Sequence, residues 1–176
     1  MSRPQANVIL VFIALIWGSA FVAQNLGMKE IGPFAFTGTR FLLGALIVLP
    51  LAQREYRRLS QRGLAFSGRE WLGCIGLGVL LCFGAAFQQI GIVSTTVTNA
   101  GFFTALYVPL VPVIGWLLFR TLPHWSVWPA SGACIAGTWL LGGGELSALN
   151  TGDFWVLAST LFWAAHVLFV GRVAAE

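Results

Sequence analysis

Six long apolar segments divide this sequence, and nearly all of its positive charge lies between or outside them. Each segment has about 20 mostly apolar residues, which is the length a helix needs to cross a bilayer. None shows the strict alternation of a barrel strand, and helices and closed barrels are the structures that can span lipid. We therefore predict an all-α integral membrane protein with six transmembrane helices, at residues 7–26, 33–51, 71–90, 97–119, 125–142 and 154–171.

The composition excludes an ordinary soluble domain. Only 9% of the residues are charged and 57% are hydrophobic, whereas a soluble domain carries roughly a quarter charged residues. The net charge of +4 does not indicate a nucleic-acid partner, because the basic residues cluster between apolar segments as the positive-inside rule describes. We therefore predict that the chain is embedded in a lipid bilayer.

The basic residues also predict the orientation. Five arginines fall between the second and third segments: Arg54, Arg57, Arg58, Arg62 and Arg69. A cytoplasmic N-terminus puts these five, together with Arg3, Arg120 and Arg172, on the inside, and leaves Lys29 outside. The reversed orientation would put eight basic residues outside. We therefore predict a multi-pass protein of the cell (inner) membrane with its N-terminus in the cytoplasm.

An internal similarity connects the first and last segments. Residues 15–20 (LIWGSA) align with residues 161–166 (LFWAAH), so that Trp17 corresponds to Trp163. The last helix is predicted to run opposite to the first, because an odd number of helices separates their starts. A second repeat would then be inverted, the arrangement that supports alternating access in carriers.

Several short motifs resemble the EamA family of the drug/metabolite transporter superfamily. In chain order they are WGSAF at 17–21, PFAF at 33–36, TRF at 39–41, AFQQIG at 86–91, and the stretch 95–112 with NAGF at 99–102. The resemblance implies a ten-helix inner-membrane carrier that exports metabolites, often amino acids or related small molecules, or toxic compounds. Many members carry an acidic residue just after the fourth helix, where this chain has Arg120.

The resemblance assigns residues 1–149 to the first five-helix repeat and residues 150–176 to the start of a second, with helices seven to ten absent. The chain would then be a fragment or truncated product, or it would assemble with a second copy. We expect a transporter of a small-molecule solute that works by alternating access. The alternative is a non-transporting membrane subunit or truncated remnant that needs a partner chain.

Arg40 is the strongly charged residue that lies well inside a predicted span. An intramembrane arginine is costly and marks a functional site by default, and its planar guanidinium suits a carboxylate. From its position near the start of the second helix it could instead reach the outer interface as a structural anchor.

Other polar side chains extend the candidate site. Gln24, Gln88 and Asn99 lie toward the outer ends of their helices, where they either cap helix ends or line a vestibule. His166 titrates near neutral pH in its ordinary state, although a lone histidine in an apolar helix is often a hydrogen-bonded packing residue.

Aromatic residues complete the predicted substrate-binding set: Trp17, Phe103, Tyr107 and Trp163. They could bind an apolar side chain or a cation, or they could fill ordinary core. Pro109 and Pro112 each remove a backbone hydrogen bond, which predicts a kinked fourth helix. Because broken helices at membrane depth often line a cavity, we expect this helix to supply many residues of the cavity lining.

The sequence offers little for other chemistries. No carboxylate lies in the middle of a span, which argues against simple proton antiport. The sequence has no Walker-type phosphate loop, so it does not indicate ATP binding. An enzyme would need convergent acid–base or metal ligands that Arg40 and His166 do not supply. We therefore predict no catalytic residue, no metal site and no cofactor.

Overall fold

The computed structural model describes residues 3–64, 66–120, 122–141 and 149–173. These residues form helices and no β-strand. Five stretches are long and apolar enough to cross a membrane, one of them made of two consecutive helices. The predicted all-α membrane fold is confirmed. The helices are α1 (Arg3–Ile31), α2 (Pro33–Gln61), α3 (Gly68–Ser94), α4 (Val97–Ala105), α5 (Tyr107–Phe119), α6 (Val127–Leu141) and α7 (Thr151–Val173).

The first two helices are longer than hydropathy predicts. Helix α1 continues to Ile31, and Gly32 alone separates it from Pro33, the first residue of α2. Gly32 adopts φ 76°, a left-handed conformation that glycine reaches without steric cost. Proline then starts the next helix well, because its missing N–H would have no partner there.

The basic stretch is mostly helix and not loop. Helix α2 runs on to Gln61, so Arg54, Arg57 and Arg58 belong to its last turns. The predicted end of the second helix at residue 51 is therefore wrong, because charged residues end an apolar segment without ending a helix. Arginine is in fact a good helix former, and positive charge is favourable near a helix C-terminus. The next helix starts at a capping box between Ser67 and Glu70.

The fourth span is broken at Leu106, between α4 and α5. Pro109 has no N–H to donate to the carbonyl of Ala105, four residues earlier. The thiol of Cys134 on α6 lies 3.8 Å from that carbonyl oxygen and donates to it. The predicted interruption of this helix is therefore present, and a neighbouring helix satisfies the backbone group that proline releases. At the start of this span, the Thr96 hydroxyl caps α4 by accepting from the Asn99 N–H at 3.1 Å.

Helices α3 and α7 pack closely in an antiparallel pair. Glycines of α3 lie along the contact: a Cβ added at Gly73 would lie 3.4 Å from Val173, and one at Gly84 would lie 3.4 Å from Phe162. At the other end of the pair, a Cβ at Gly91 would lie 2.6 Å from the Gly152 carbonyl oxygen. Small residues let helix backbones approach in this way.

Helix α6 must cross the bundle, because the end of α5 and the start of α7 lie at opposite ends of it. Phe119, at the end of α5, contacts Phe169 near the end of α7 with ring centroids 6.4 Å apart. Helix α7 begins at the opposite end of the bundle, where Gly152 meets Gly91. The chain must return between these points, and α6 is the helix that carries it. Its 15 described residues extend about 22 Å, and the predicted last residue of this span, Gly142, lies outside the described part of the chain.

The apolar core lies at one end of the bundle, near the α1–α2 turn at Gly32, and we call this the Gly32 end. Its buried residues are Met28, Ile92, Ala100, Phe103 and Val156, contributed by α1, α3, α4 and α7. The amide of Gln89 is also fully buried and donates to the Met28 sulfur. This end of the bundle is therefore closed by side chains from four helices.

A buried carboxylate joins the same end. Asp153 is fully buried and accepts a hydrogen bond from the Thr95 hydroxyl, at the junction of α3 and α4. It also accepts from the Asn150 N–H at 2.9 Å, while Asn150 accepts from the Asp153 N–H at 3.0 Å. This reciprocal pair is a capping box at the start of α7. The Asp153 side chain thus helps to cap α7 and connects α7 to the junction of α3 and α4.

Candidate functional site

A cavity of about 660 Å³ lies between α1, α2, α3, α4 and α7. Its volume is within the range of small-molecule sites. The walls are mostly apolar, with residues such as Phe21, Phe41, Leu81 and Val170. Six residues of the predicted site line it: Trp17, Gln24, Arg40, Gln88, Trp163 and His166.

Arg40 brings a positive charge to the cavity. The side chain is half-buried, and its guanidinium carbon lies 5.1 Å from the centre of the Phe41 ring and 6.0 Å from that of Phe36. Aromatic faces stabilise a guanidinium at this range. Among the described residues no carboxylate lies within ion-pair distance of Arg40. The guanidinium is therefore held by aromatic rings and has no protein counter-ion there.

Two buried amides border the cavity on opposite sides. Gln88 of α3 donates from Nε2 to the Thr104 hydroxyl at 2.9 Å, and that hydroxyl donates to the Ala100 carbonyl at 2.6 Å. Gln24 of α1 is 5% exposed, and its Oε1 has no hydrogen-bond partner among the described residues. Buried acceptors are nearly always paired. The Gln24 oxygen is thus an unusual feature of the helices around the cavity.

Two tryptophans form the aromatic wall. Trp17 and Trp163 meet edge to face, with ring centroids 6.2 Å apart. The indole Nε1 of Trp163 is buried and has no acceptor among the described residues. These are the two tryptophans that correspond in the alignment of the first and last segments, and they meet where α1 and α7 face each other.

His166 lies one turn below Trp163 on α7, with its ring edge to face against that indole at 6.4 Å. Its Nδ1 is 3.0 Å from the Leu77 carbonyl oxygen. Because a carbonyl can only accept, Nδ1 carries a hydrogen, and in the neutral ring Nε2 is then an acceptor. The histidine therefore connects α7 to α3 and also lines the cavity.

The structure places three predicted residues outside the cavity lining. Phe103 is 6% exposed and belongs to the apolar core of the Gly32 end. Asn99 and Tyr107 are half-buried on α4 and α5. The broken span supplies one lining residue, Thr104, so its contribution is smaller than its prolines suggest. A role for Asn99, Phe103 and Tyr107 in binding stays a prediction.

Sequence reasoning missed Thr104, Phe21 and Phe41 as lining residues. Thr104 follows Ala100 by one helical turn, and its hydroxyl satisfies that backbone carbonyl, a pattern that is common in membrane helices and gives no functional signal. Phe41 directly follows Arg40, and a charged residue in a span with aromatic neighbours could have indicated it.

Known proteins resemble this chain over most of its length. The sequence profile of the EamA-like transporter family matches residues 5–143. The chain belongs to the EamA-like transporter family. It is thus a multi-pass membrane protein of a transporter family, as the motifs in its first four helices predicted.

Curated relatives in the EamA-like family are named only as transporters. An uncharacterized transporter of Archaeoglobus fulgidus is 31% identical over 174 residues, which is 98% of this chain and 51% of the relative. The uncharacterized transporter YwfM of Bacillus subtilis is 25% identical over 144 residues, 78% of this chain and 46% of the relative. The chain therefore spans about half the length of these relatives. No solved structure matches it significantly.

Proposed function

We infer that the chain forms the solute-binding half of an exporter in the cell inner membrane. The solute, an amino-acid-like metabolite or a drug, binds in the cavity and is released by alternating access. Residues 1–149 form the first repeat and residues 150–176 begin an inverted second one. The cavity carries this proposal, because it has apolar walls and a guanidinium without a carboxylate partner among the described residues, beside an amide oxygen without a hydrogen-bond partner there.

Two further features support an alternating-access carrier. The Gly32 end is closed by packed side chains, while the cavity lies among residues nearer the other end of α7, such as His166 and Val170. In addition, α7 runs antiparallel to α3, and equivalent tryptophans of the first and last segments meet. An inverted repeat whose starting helix faces α1 is the arrangement expected of such carriers.

The cytoplasmic N-terminus is tested by cysteine accessibility in intact cells. The native Cys74, Cys82 and Cys134 are replaced by serine, and a single cysteine is placed at Gly32 or at Arg62. The two cysteines should differ in their labelling from outside the cell. We expect a membrane-impermeant maleimide to label G32C and not R62C, because the basic end faces the cytoplasm. Permeabilised cells should label both. Labelling of R62C alone in intact cells would reverse the orientation.

Transport is tested with the purified chain in liposomes. We expect uptake of a radiolabelled amino-acid mixture above that of empty liposomes. Arg40→Gln should lower the uptake by about tenfold or more, since a hydrogen bond to a charged group contributes about 1.5–3 kcal/mol. Arg57→Gln is the matched control, because Arg57 lies exposed on the same helix and away from the cavity. Equal rates in the two variants would contradict a role of Arg40 in binding.

The alternative is a membrane subunit that transports only with a partner chain. One observation favours it: no residue of α2 is buried within the described structure, although α2 carries Arg40. The alternative predicts no flux from the chain in liposomes, and flux once a fragment that supplies the second half of a longer relative is reconstituted with it. Flux without the added fragment would reject it.

A further inference from the structure

We propose that the cavity selects an apolar monocarboxylate that carries one neutral hydrogen-bond donor, such as a hydroxyl or an amide N–H, over cationic compounds. This proposal rests on the proposed function in one respect, that the cavity is the solute site. Three lining residues carry unlike polar groups: the guanidinium of Arg40, and two buried atoms without a hydrogen-bond partner among the described residues, the acceptor Oε1 of Gln24 and the donor Nε1 of Trp163.

The fixed charge of the cavity is positive. Among the lining residues that the structure describes, Arg40 carries a permanent charge and none is an aspartate or glutamate. The guanidinium can bind a carboxylate through two parallel hydrogen bonds. A cation entering the same space would find no counter-ion and would meet a like charge.

The amide of Gln24 points to a neutral donor on the solute. Its Oε1 is buried without a partner among the described residues, so a solute hydroxyl or amide N–H would satisfy it once the side chain turns that oxygen toward the cavity. An ammonium group could also donate to this oxygen, but it would lose its hydration without gaining a carboxylate, which is a larger penalty. A neutral donor therefore fits this position better than an ammonium does.

The remaining walls fit a flat apolar body. Trp17 and Trp163 line the cavity and meet edge to face, and Phe21 and Phe41 border it from α1 and α2. The Trp163 Nε1–H has no acceptor among the described residues, so it can donate to the solute, for example to a remaining lone pair of a carboxylate oxygen that Arg40 also binds. The favoured solute is thus an aromatic compound whose carboxylate is bound by Arg40 and Trp163. Its neutral hydrogen-bond donor is bound by Gln24.

Four matched probes separate these features. They are phenyllactate (carboxylate and hydroxyl), 3-phenylpropionate (carboxylate), phenylalanine (carboxylate and ammonium) and phenethylamine (ammonium). Binding to the full chain in lipid nanodiscs is measured by titration calorimetry. We expect phenyllactate to bind about 3- to 10-fold more tightly than 3-phenylpropionate, the contribution of one neutral hydrogen bond. Phenylalanine should bind more weakly than phenyllactate, and phenethylamine should be weakest of the four.

Two variants assign each preference to its residue. Gln24→Leu, which keeps the side-chain size, should bind phenyllactate and 3-phenylpropionate equally. Arg40→Gln should lower the affinity for both carboxylates by about tenfold or more. Its affinity for phenethylamine should be that of the wild type. Arg57→Gln should keep the wild-type order. Because the order is measured first on the wild-type chain, a variant that fails to fold does not remove the test.

The outcomes distinguish this proposal from the proposed function. Phenethylamine or phenylalanine as the tightest ligand would overturn the proposal while leaving a carrier in place. Failure of all four probes to bind would overturn it as well. The predicted order in nanodiscs, without flux in liposomes, would support the selectivity and reject transport by this chain.

Discussion

Gly91→Ala should destabilise the protein by about 1–3 kcal/mol, the usual range for overpacking a closely packed contact. The added methyl would lie 2.6 Å from the Gly152 carbonyl oxygen and 2.9 Å from the Val156 nitrogen. Both are backbone atoms, so no side chain can rotate away and the helices must separate. Thermal unfolding of the protein in detergent, followed by the loss of monodisperse protein, measures the effect.

Gly76→Ala is the matched control on the same helix. A Cβ at Gly76 would meet nothing within 4 Å, so this change adds helix propensity without a clash. We expect it to be neutral or to stabilise the protein by up to about 1 kcal/mol. Gly91→Ala gains the same propensity, and the difference between the two variants isolates the contact of α3 with α7. A similar melting temperature for both would show that this contact does not limit stability.

Asp153→Ala should destabilise the protein by about 2–4 kcal/mol. The substitution removes the acceptor of the Asn150 N–H, which is one half of the capping box at the start of α7 and is worth about 1 kcal/mol. It also leaves the buried Thr95 hydroxyl without its partner, at about 1–3 kcal/mol. The same unfolding assay measures this loss, and Asp153→Asn, which keeps an acceptor oxygen, should lose less.

A double-mutant cycle with Thr95→Val tests the connection between α7 and the α3–α4 junction. Valine has nearly the shape of threonine but cannot donate to the carboxylate. If the hydroxyl of Thr95 acts through Asp153, Thr95→Val should destabilise the wild type and have little further effect in Asp153→Ala. Additive effects of the two substitutions would mean that their hydrogen bond contributes little to stability.

Hydropathy and charge predicted an all-helical membrane protein but not the ends of the helices. Apolar segments end where charge begins, yet α2 continues through Arg54, Arg57 and Arg58 to Gln61. Backbone hydrogen bonding does not depend on side-chain polarity, so a helix can leave the membrane and continue in water. The prolines indicated a broken fourth span, but the break at Leu106 also depends on Cys134, which lies far away in sequence.

The candidate site was accessible to sequence reasoning where a residue type is costly in lipid. Arg40, Gln24, Gln88 and His166 stand out for this reason, and all four line one cavity. Phe103 could not be placed, because an aromatic residue suits a core as well as a cavity wall. The sequence alone does not single out Asp153, because its partner Thr95 is identified only when α3 and α7 are packed together.

The contact of Gly91 with Gly152 has a geometric consequence for the cavity. It joins two backbones without intervening side chains, so it can act as a pivot between α3 and α7. His166 lies fourteen residues after Gly152, which is about 21 Å along the helix axis. A tilt of about 10° at this pivot would move His166 by roughly 4 Å, given that rise per residue. A small change of angle at the closed end of the bundle is therefore magnified at the cavity.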